Sequence, residues 1–312
     1  MIIEAAAIAA SAWGLHAWSH HAILNGLRAP RLTHGRAPDN PDVPRQAWRE
    51  VVIPGSNSRQ LFGWMVRPAS GSGQPAPAVL VMHGWGANAS MMWPVVRPLH
   101  EAGFAVLLID ARCHGLSDNE AFSSMPRFAE DIAAGLGWLR GQTEVAAHRV
   151  ALLGHSVGAA AAMLHASRHH DVSAVVSLSA FAHPREVMLR LMAEHRVPYP
   201  LIGWYVLHHV QRVIGARFDD IAPLTTLRGV RCPVLLVHGI ADSTVPFSDA
   251  QRLQSVSSWA RLLPVNGDHD LRDTLALHGG ALVEFLLQAD AQARLREDGG
   301  NDDHPLPWRS AA

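Results

Sequence analysis

The sequence predicts an α/β fold: a mostly parallel sheet covered by helices on both faces, with a helical insertion above it. Three observations point there. Ala78 to Met82, Ala105 to Ile109, Val150 to Leu153, Ala174 to Leu178 and Val234 to Val237 are apolar at successive positions, the mark of strands buried on both faces. Segments of helical length, such as Pro126 to Arg140 and Ser156 to Ser167, alternate with them, as crossovers between parallel strands require. Finally, about fifty residues separate Leu178 from Val234, far more than an ordinary connection uses.

Residues 1–45 are expected to form an apolar helix and a connector. Met1 to Leu24 is mostly apolar, but Glu4, His16, Ser19, His20 and His21 break it, so no continuous membrane-spanning run results. The nearest cations, Arg28, Arg31 and Arg36, follow the segment instead of preceding it, which argues against a secretory signal. The segment either associates with a membrane through residues 1–24, as an anchor or an interfacial helix, or does not. In both cases the Arg-flanked end implies a cytoplasmic body. Leu32 to Arg45, with Pro38, Pro41 and Pro44, reads as extended chain.

The folded body is expected over residues 46–290. It opens with two short amphipathic strands, about Glu50 to Ile53 and Gln60 to Val66, before the apolar strands begin. The long gap reads as a cap at about residues 183–222, with helices Pro184 to His195 and Leu201 to Gly215 separated by Pro198 and Pro200. Glu186, Arg190 and Glu194 stand at i, i+4 spacing and are expected to pair on a solvated face. Residues 291–312 turn polar and are expected to be a disordered tail.

Composition excludes several functions. With 312 residues, 48% hydrophobic, the chain can bury a large core without disulfides or metals. A formal net charge of −1 gives no electrostatic reason to expect nucleic acid. Cys113 and Cys232 lie far apart beside predicted strands and read as buried free thiols. The pairs His20-His21, His169-His170 and His208-His209 point about 100° apart on a helix, and no His-Glu-x-x-His or phosphate-loop pattern occurs. No metal and no cofactor is expected.

The chemistry concentrates at Val150 to Ala162, which reads as a strand, a turn holding Gly154-His155-Ser156-Val157-Gly158, and a helix of small residues. Such a nucleophile elbow exposes the Ser156 hydroxyl, and a β-carbon at Gly154 or Gly158 would block the close approach of strand and helix. A serine needs a base within hydrogen-bond reach. His269 follows a short strand on the loop Asn266-Gly267-Asp268, whereas His278 falls within the next helix. The base needs an acid, and Asp242 stands in the turn after the strand Val234 to Val237. The earlier strand is followed by Ser179-Ala180-Phe181-Ala182, without a carboxylate. Asp268 and Asp270 read as turn or helix-cap residues. Two oxyanion donors are required: the N–H of Val157, and that of Trp85 in the turn His83-Gly84-Trp85-Gly86. Met91, Met92, Trp93 and Phe181, with Trp204 and Tyr205 of the cap, are candidate substrate-binding residues.

Trp48 to Gln288 resembles the bacterial α/β-hydrolases that include carboxylesterases and the serine aminopeptidase-like group. The resemblance rests on His83-Gly84-Trp85-Gly86, Asp110-Ala111-Arg112-Cys113-His114-Gly115, Gly154 to Gly158, His238 to Pro246 and Gly267-Asp268-His269. Cys113 stands where relatives often carry Gly. The resemblance implies an eight-stranded, mostly parallel sheet with a helical cap, and a serine hydrolase acting on a small-molecule acyl substrate. A carboxylic ester is the first expectation, with peptide, amide or thioester cleavage as variants of the same chemistry. A non-catalytic binding module on this fold would be expected to lack one of Ser156, His269 and Asp242. The cap is rich in Arg and apolar residues, and its acids Glu186 and Glu194 have Arg190 at pairing distance. Asp219 and Asp220 are the carboxylates left to hold a substrate ammonium, so a neutral or weakly anionic acyl group is expected.

Overall fold

The computed structural model describes residues 2–35, 43–69, 73–199 and 201–297. In chain order its helices and strands are α1 (Ile2–Gly26), β1 (Trp48–Pro54), β2 (Gln60–Val66), β3 (Ala76–Met82), α2 (Val96–Glu101), β4 (Ala105–Ile109), α3 (Met125–Arg140), β5 (Val145–His155), α4 (Val157–His169), β6 (Val175–Leu178), α5 (Pro184–Glu194), α6 (Leu201–Ile214), α7 (Phe218–Ile221), α8 (Pro223–Thr226), β7 (Val234–Gly239), α9 (Phe247–Ser255), β8 (Ala260–Val265) and α10 (Arg272–Glu297). One eight-stranded sheet runs β1-β2-β4-β3-β5-β6-β7-β8. The strands β1 and β2 are antiparallel to their neighbours, and β4 through β8 are parallel.

Alternation along each strand builds two cores. Leu80, Leu107 and Leu152 face Phe128 and Ile132 of α3 and the alanines of α4. Val79, Val81 and Leu108 face Leu99 of α2 and Phe285 of α10 on the other side. Both faces are therefore covered, which is why these strands read as unbroken apolar runs. The motif that begins at Asp110 is a scaffold: Arg112, fully buried, donates to Asp131 and Glu130 of α3 and to Glu120. Cys113 and Cys232 are buried and unbridged.

Between β6 and β7, α5 and α6 close on a third apolar cluster of Met192, Leu207, Val210 and Phe218, against which Ile23 and Leu27 at the end of α1 also pack. Along α6, α1 is held by Ser19 Oγ to Tyr205 Oη at 2.8 Å and His20 Nδ1 to His209 Nε2 at 2.9 Å. No helix among the described residues is long and apolar enough to cross a membrane.

Two expectations change. Glu186 and Arg190 do not pair with each other, because that face of α5 turns toward α9: Glu186 accepts two bonds at 2.8 Å from Arg252, and Arg190 lies 3.7 Å from Asp249. The polar segment after Gln288 stays helical to Glu297, anchored where Asp290 accepts from Arg149 and Arg294. Residues 298–312, and 36–42 of the connector, lie outside the described residues.

Candidate active site

At the C-terminal end of central β5, Ser156 takes φ 52° and ψ −114°, and α4 begins at the next residue. That strained conformation is held by Ser156 N–H donating to the Leu178 carbonyl at 2.8 Å. The glycines are required by space. A β-carbon on Gly154 would lie 2.5 Å from the Ala159 nitrogen, and one on Gly158 would lie 2.3 Å from the His83 carbonyl oxygen.

The loops after β7 and β8 bring His269 and Asp242 to the same edge. They touch so closely that a β-carbon on Gly239 would sit 2.4 Å from the Asp268 carbonyl, and Ala241 N–H donates to the Gly267 carbonyl. Asp268 accepts from Asp270 N–H, the turn role expected of it. The Nε2 of His269 lies 3.1 Å from Ser156 Oγ, and its Nδ1 lies 2.8 Å from Asp242 Oδ2. Asp242 Oδ1 accepts from Thr244 and Val245 N–H, while His238 Nε2 stands 3.3 Å from Oδ2. Burial pushes the Asp242 carboxyl up, but the bonds from His238, His269 and Val245 outweigh it and hold the group below the usual carboxylate range.

His155, inside the elbow motif, has a position the motif does not announce. Its Nε2 is 2.9 Å from the His269 carbonyl oxygen. A carbonyl only accepts, so Nε2 carries the proton. Burial lowers the His155 pKa to about 4, which keeps the ring neutral and tethers the His269 backbone to the elbow.

Val157 and Trp85, the residues expected to supply the oxyanion donors, line the same cavity as Ser156. Val157 is the first residue of α4, so its N–H has no acceptor within the helix. Trp85 sits in the turn after β3, where a β-carbon on Gly84 would come within 3.3 Å of Ser156 Cβ. Behind this turn His83 is buried, accepts from Ala111 N–H at Nε2 and bonds the Gly84 carbonyl through Nδ1. Burial keeps its pKa below the ordinary imidazole value. Asp110 braces the next stretch by accepting from Ala89 and Leu116 N–H.

Ser156 and His269 open into a cavity of about 950 Å³, and Trp85, Val157, Met91, Met92 and Phe181 stand on its wall. Three candidates do not. Trp93 is buried in the core beside Leu99 and Phe285 and packs edge-on against Trp48 and Trp64. Trp204 is 58% exposed and stacks on His208. Tyr205 bonds α1 through Ser19. Asp219 and Asp220 are exposed, and Asp219 pairs with His183 and Arg217. The wall instead carries Asp270 beside His269, together with Ala22 to Leu32 of the N-terminal segment. Neither had a sequence signal beyond adjacency to His269 in the first case and apolar character in the second.

A family model described as serine aminopeptidase, S33, matches residues 73–218. An uncharacterized protein of Mycobacterium tuberculosis is 32% identical over 212 residues, covering 68% of each chain. Among solved structures, the esterase Pf2001 of Pyrococcus furiosus superposes with a TM-score of 0.65 at 20% identity, covering 84% of this chain and 96% of its own. Est1E of Butyrivibrio proteoclasticus, solved with ferulic acid, gives 0.62 at 21% identity, over 77% and 99%. With the sheet order, the strained elbow and these relatives together, the chain belongs to the α/β-hydrolase superfamily, as a serine hydrolase of its serine aminopeptidase-like group.

Proposed function

We propose that this hydrolase is a carboxylesterase working through an acyl-enzyme. The observation that carries the reading is the continuous line Asp242 Oδ2, His269, Ser156 Oγ, with contacts of 2.8 and 3.1 Å, at the floor of a largely apolar cavity. Asp242 accepts from His269 Nδ1–H, which leaves Nε2 as the base. Ser156 Oγ attacks the ester carbonyl as its proton passes to Nε2. The oxyanion that forms takes hydrogen bonds from Val157 and Trp85 N–H. His269 then protonates the departing alkoxide, and a water activated by the same nitrogen cleaves the acyl-serine. Likeness in fold to two esterases supports the reading, as does the scarcity of charge on the cavity wall.

One observation favours a second reading. Asp270 is a carboxylate on the wall beside His269, suited to a substrate ammonium, as an aminopeptidase requires. The test compares kcat/KM for p-nitrophenyl acyl esters, the p-nitroanilide of an unblocked amino acid, and the same anilide N-acylated. The esterase reading expects ester cleavage and no preference for the free amine. A clear preference for the free amine, abolished by Asp270→Asn, overturns it. In either case Ser156→Ala should lose both turnover and fluorophosphonate labelling while its thermal melt stays cooperative.

A further inference from the structure

Residues 22–32 form a wall of the cavity that lies outside the part matched by the family model. Ala22, Ile23, Gly26, Leu27, Pro30 and Leu32 line it, none with a polar side chain. Arg28, Arg31 and His34, between and after them, bond to the protein. Arg28 donates to the Ala121 carbonyl at 3.0 Å. Arg31 donates to the carbonyls of Gly115 and Ser117 at 2.8 and 2.7 Å and to Asn119 at 2.9 Å. His34 stands 3.1 Å from buried Asp110, and Ser123 N–H donates to the Leu27 carbonyl at 2.9 Å. This arm is thus a built wall with an apolar side toward Ser156 and a polar side bonded to the scaffold. Met188, Met192 and Val210 of α5 and α6 line the cavity too, and thioether side chains adapt to flexible apolar ligands.

The arm also meets the site on a definite side. A β-carbon on Gly86, in the same turn as Trp85, would lie 3.3 Å from Pro30. The leaving alcohol must lie next to His269, its proton donor, where Asp270 stands. The arm, reached past the Trp85 turn, is the wall left for an acyl group.

We infer that the end of α1 and the arm form an acyl-chain channel, so that the substrates are esters of medium- to long-chain fatty acids and residues 22–32 gauge the chain. This rests on the esterase reading of Ser156. A cavity of about 950 Å³ is at the upper end for small-ligand sites, well beyond what an acetyl or butyryl group fills. Each methylene buried in the channel multiplies kcat/KM by up to about fourfold.

The experiment measures kcat/KM for p-nitrophenyl esters from acetate to dodecanoate, below their micellar concentrations, in the full chain and in Gly26→Trp. Gly26 lines the cavity and a β-carbon there meets nothing within 4 Å, so a Trp is accommodated without a clash at its base. The wild-type value should rise with chain length beyond butyrate, and Gly26→Trp should cut the dodecanoate-to-butyrate ratio by about tenfold or more. Gly14→Trp is the control, equally unobstructed and on the same helix but off the wall, and it should leave the ratio near wild type. If Gly26→Trp does not fold, Ile23→Trp is read by the same ratio. A wild-type profile that peaks at acetate or butyrate overturns the channel, as does a ratio unmoved by either wall variant. Absence of any ester hydrolysis together with absence of Ser156-dependent labelling overturns the esterase reading instead, whereas rapid short-ester cleavage with no gain from length overturns the channel alone.

Discussion

Asp242 shows how much one side chain organises. Its Oδ1 accepts two backbone N–H groups, and its Oδ2 faces His269 and His238. In Asp242→Asn the amide oxygen can keep the backbone bonds, but the amide NH₂ then points at His269 and favours the tautomer with its proton on Nε2, facing Ser156. We expect kcat to fall by about 10⁴, the scale known for neutralising a triad acid, with little change in the thermal midpoint; near-wild-type turnover would exclude Asp242 as the orienting acid. The sequence made Ser156, His269 and Asp242 legible because each follows a strand in a turn rich in glycine, where backbone geometry alone dictates exposure. Trp93 was illegible for the opposite reason. In a short helix beside a two-faced sheet, nothing local says which face a side chain joins, and an aromatic fits either.

At the scale of elements, the arm after α1 is fastened by side chains donating to carbonyl groups of the loop at residues 115–121 and by the pair His34 with Asp110. Arg31→Ala removes three of those bonds. Hydrogen exchange across residues 27–35 should accelerate by at least about tenfold, while exchange in β3 and β5 stays as in wild type; unchanged exchange in the arm would mean that apolar packing alone holds it. The Asp110 pairing raises the His34 pKa above its ordinary value despite the opposing effect of burial, so this fastening is fully present below about pH 6.5 and weakens as pH rises through the raised value. No sequence pattern pointed to the arm, since its anchors are long-range contacts to main-chain oxygens and to the side chains of Asn119 and Asp110, and carry no periodicity. The cap helices, by contrast, were readable from Pro184, Pro198 and the apolar spacing of Leu201 to Ile214.

For the whole molecule, the buried histidines set the response to acid. Burial lowers His155 to about 4 and His114 to about 3, whereas in the unfolded chain each takes a proton near pH 6.5. Between those values the unfolded state binds more protons, so stability rises with pH and is lost as pH falls from about 6.5 toward 4, by up to about 2.7 kcal/mol per pH unit for the two together. The denaturation midpoint in urea, followed from pH 7 to pH 4, should fall less steeply in His114→Phe than in wild type; a slope unchanged in that variant would acquit His114. The parallel strands could be read from their unbroken apolar runs, because burial on both faces leaves a strong local mark. Strand order could not, since it depends on which edges meet, and no local pattern records that.

The arm has a consequence for the order in which the molecule assembles. Arg31 finds its partners 84 to 88 positions further along the chain, and His20 meets His209 across 189. The segment leaves the ribosome before its partners and therefore waits until the sheet and α6 exist before it has anywhere to settle. Contacts so distant in sequence form slowly. During that interval the fatty interior it will cover faces water, and the newborn chain is most exposed to its neighbours and most in need of a chaperone.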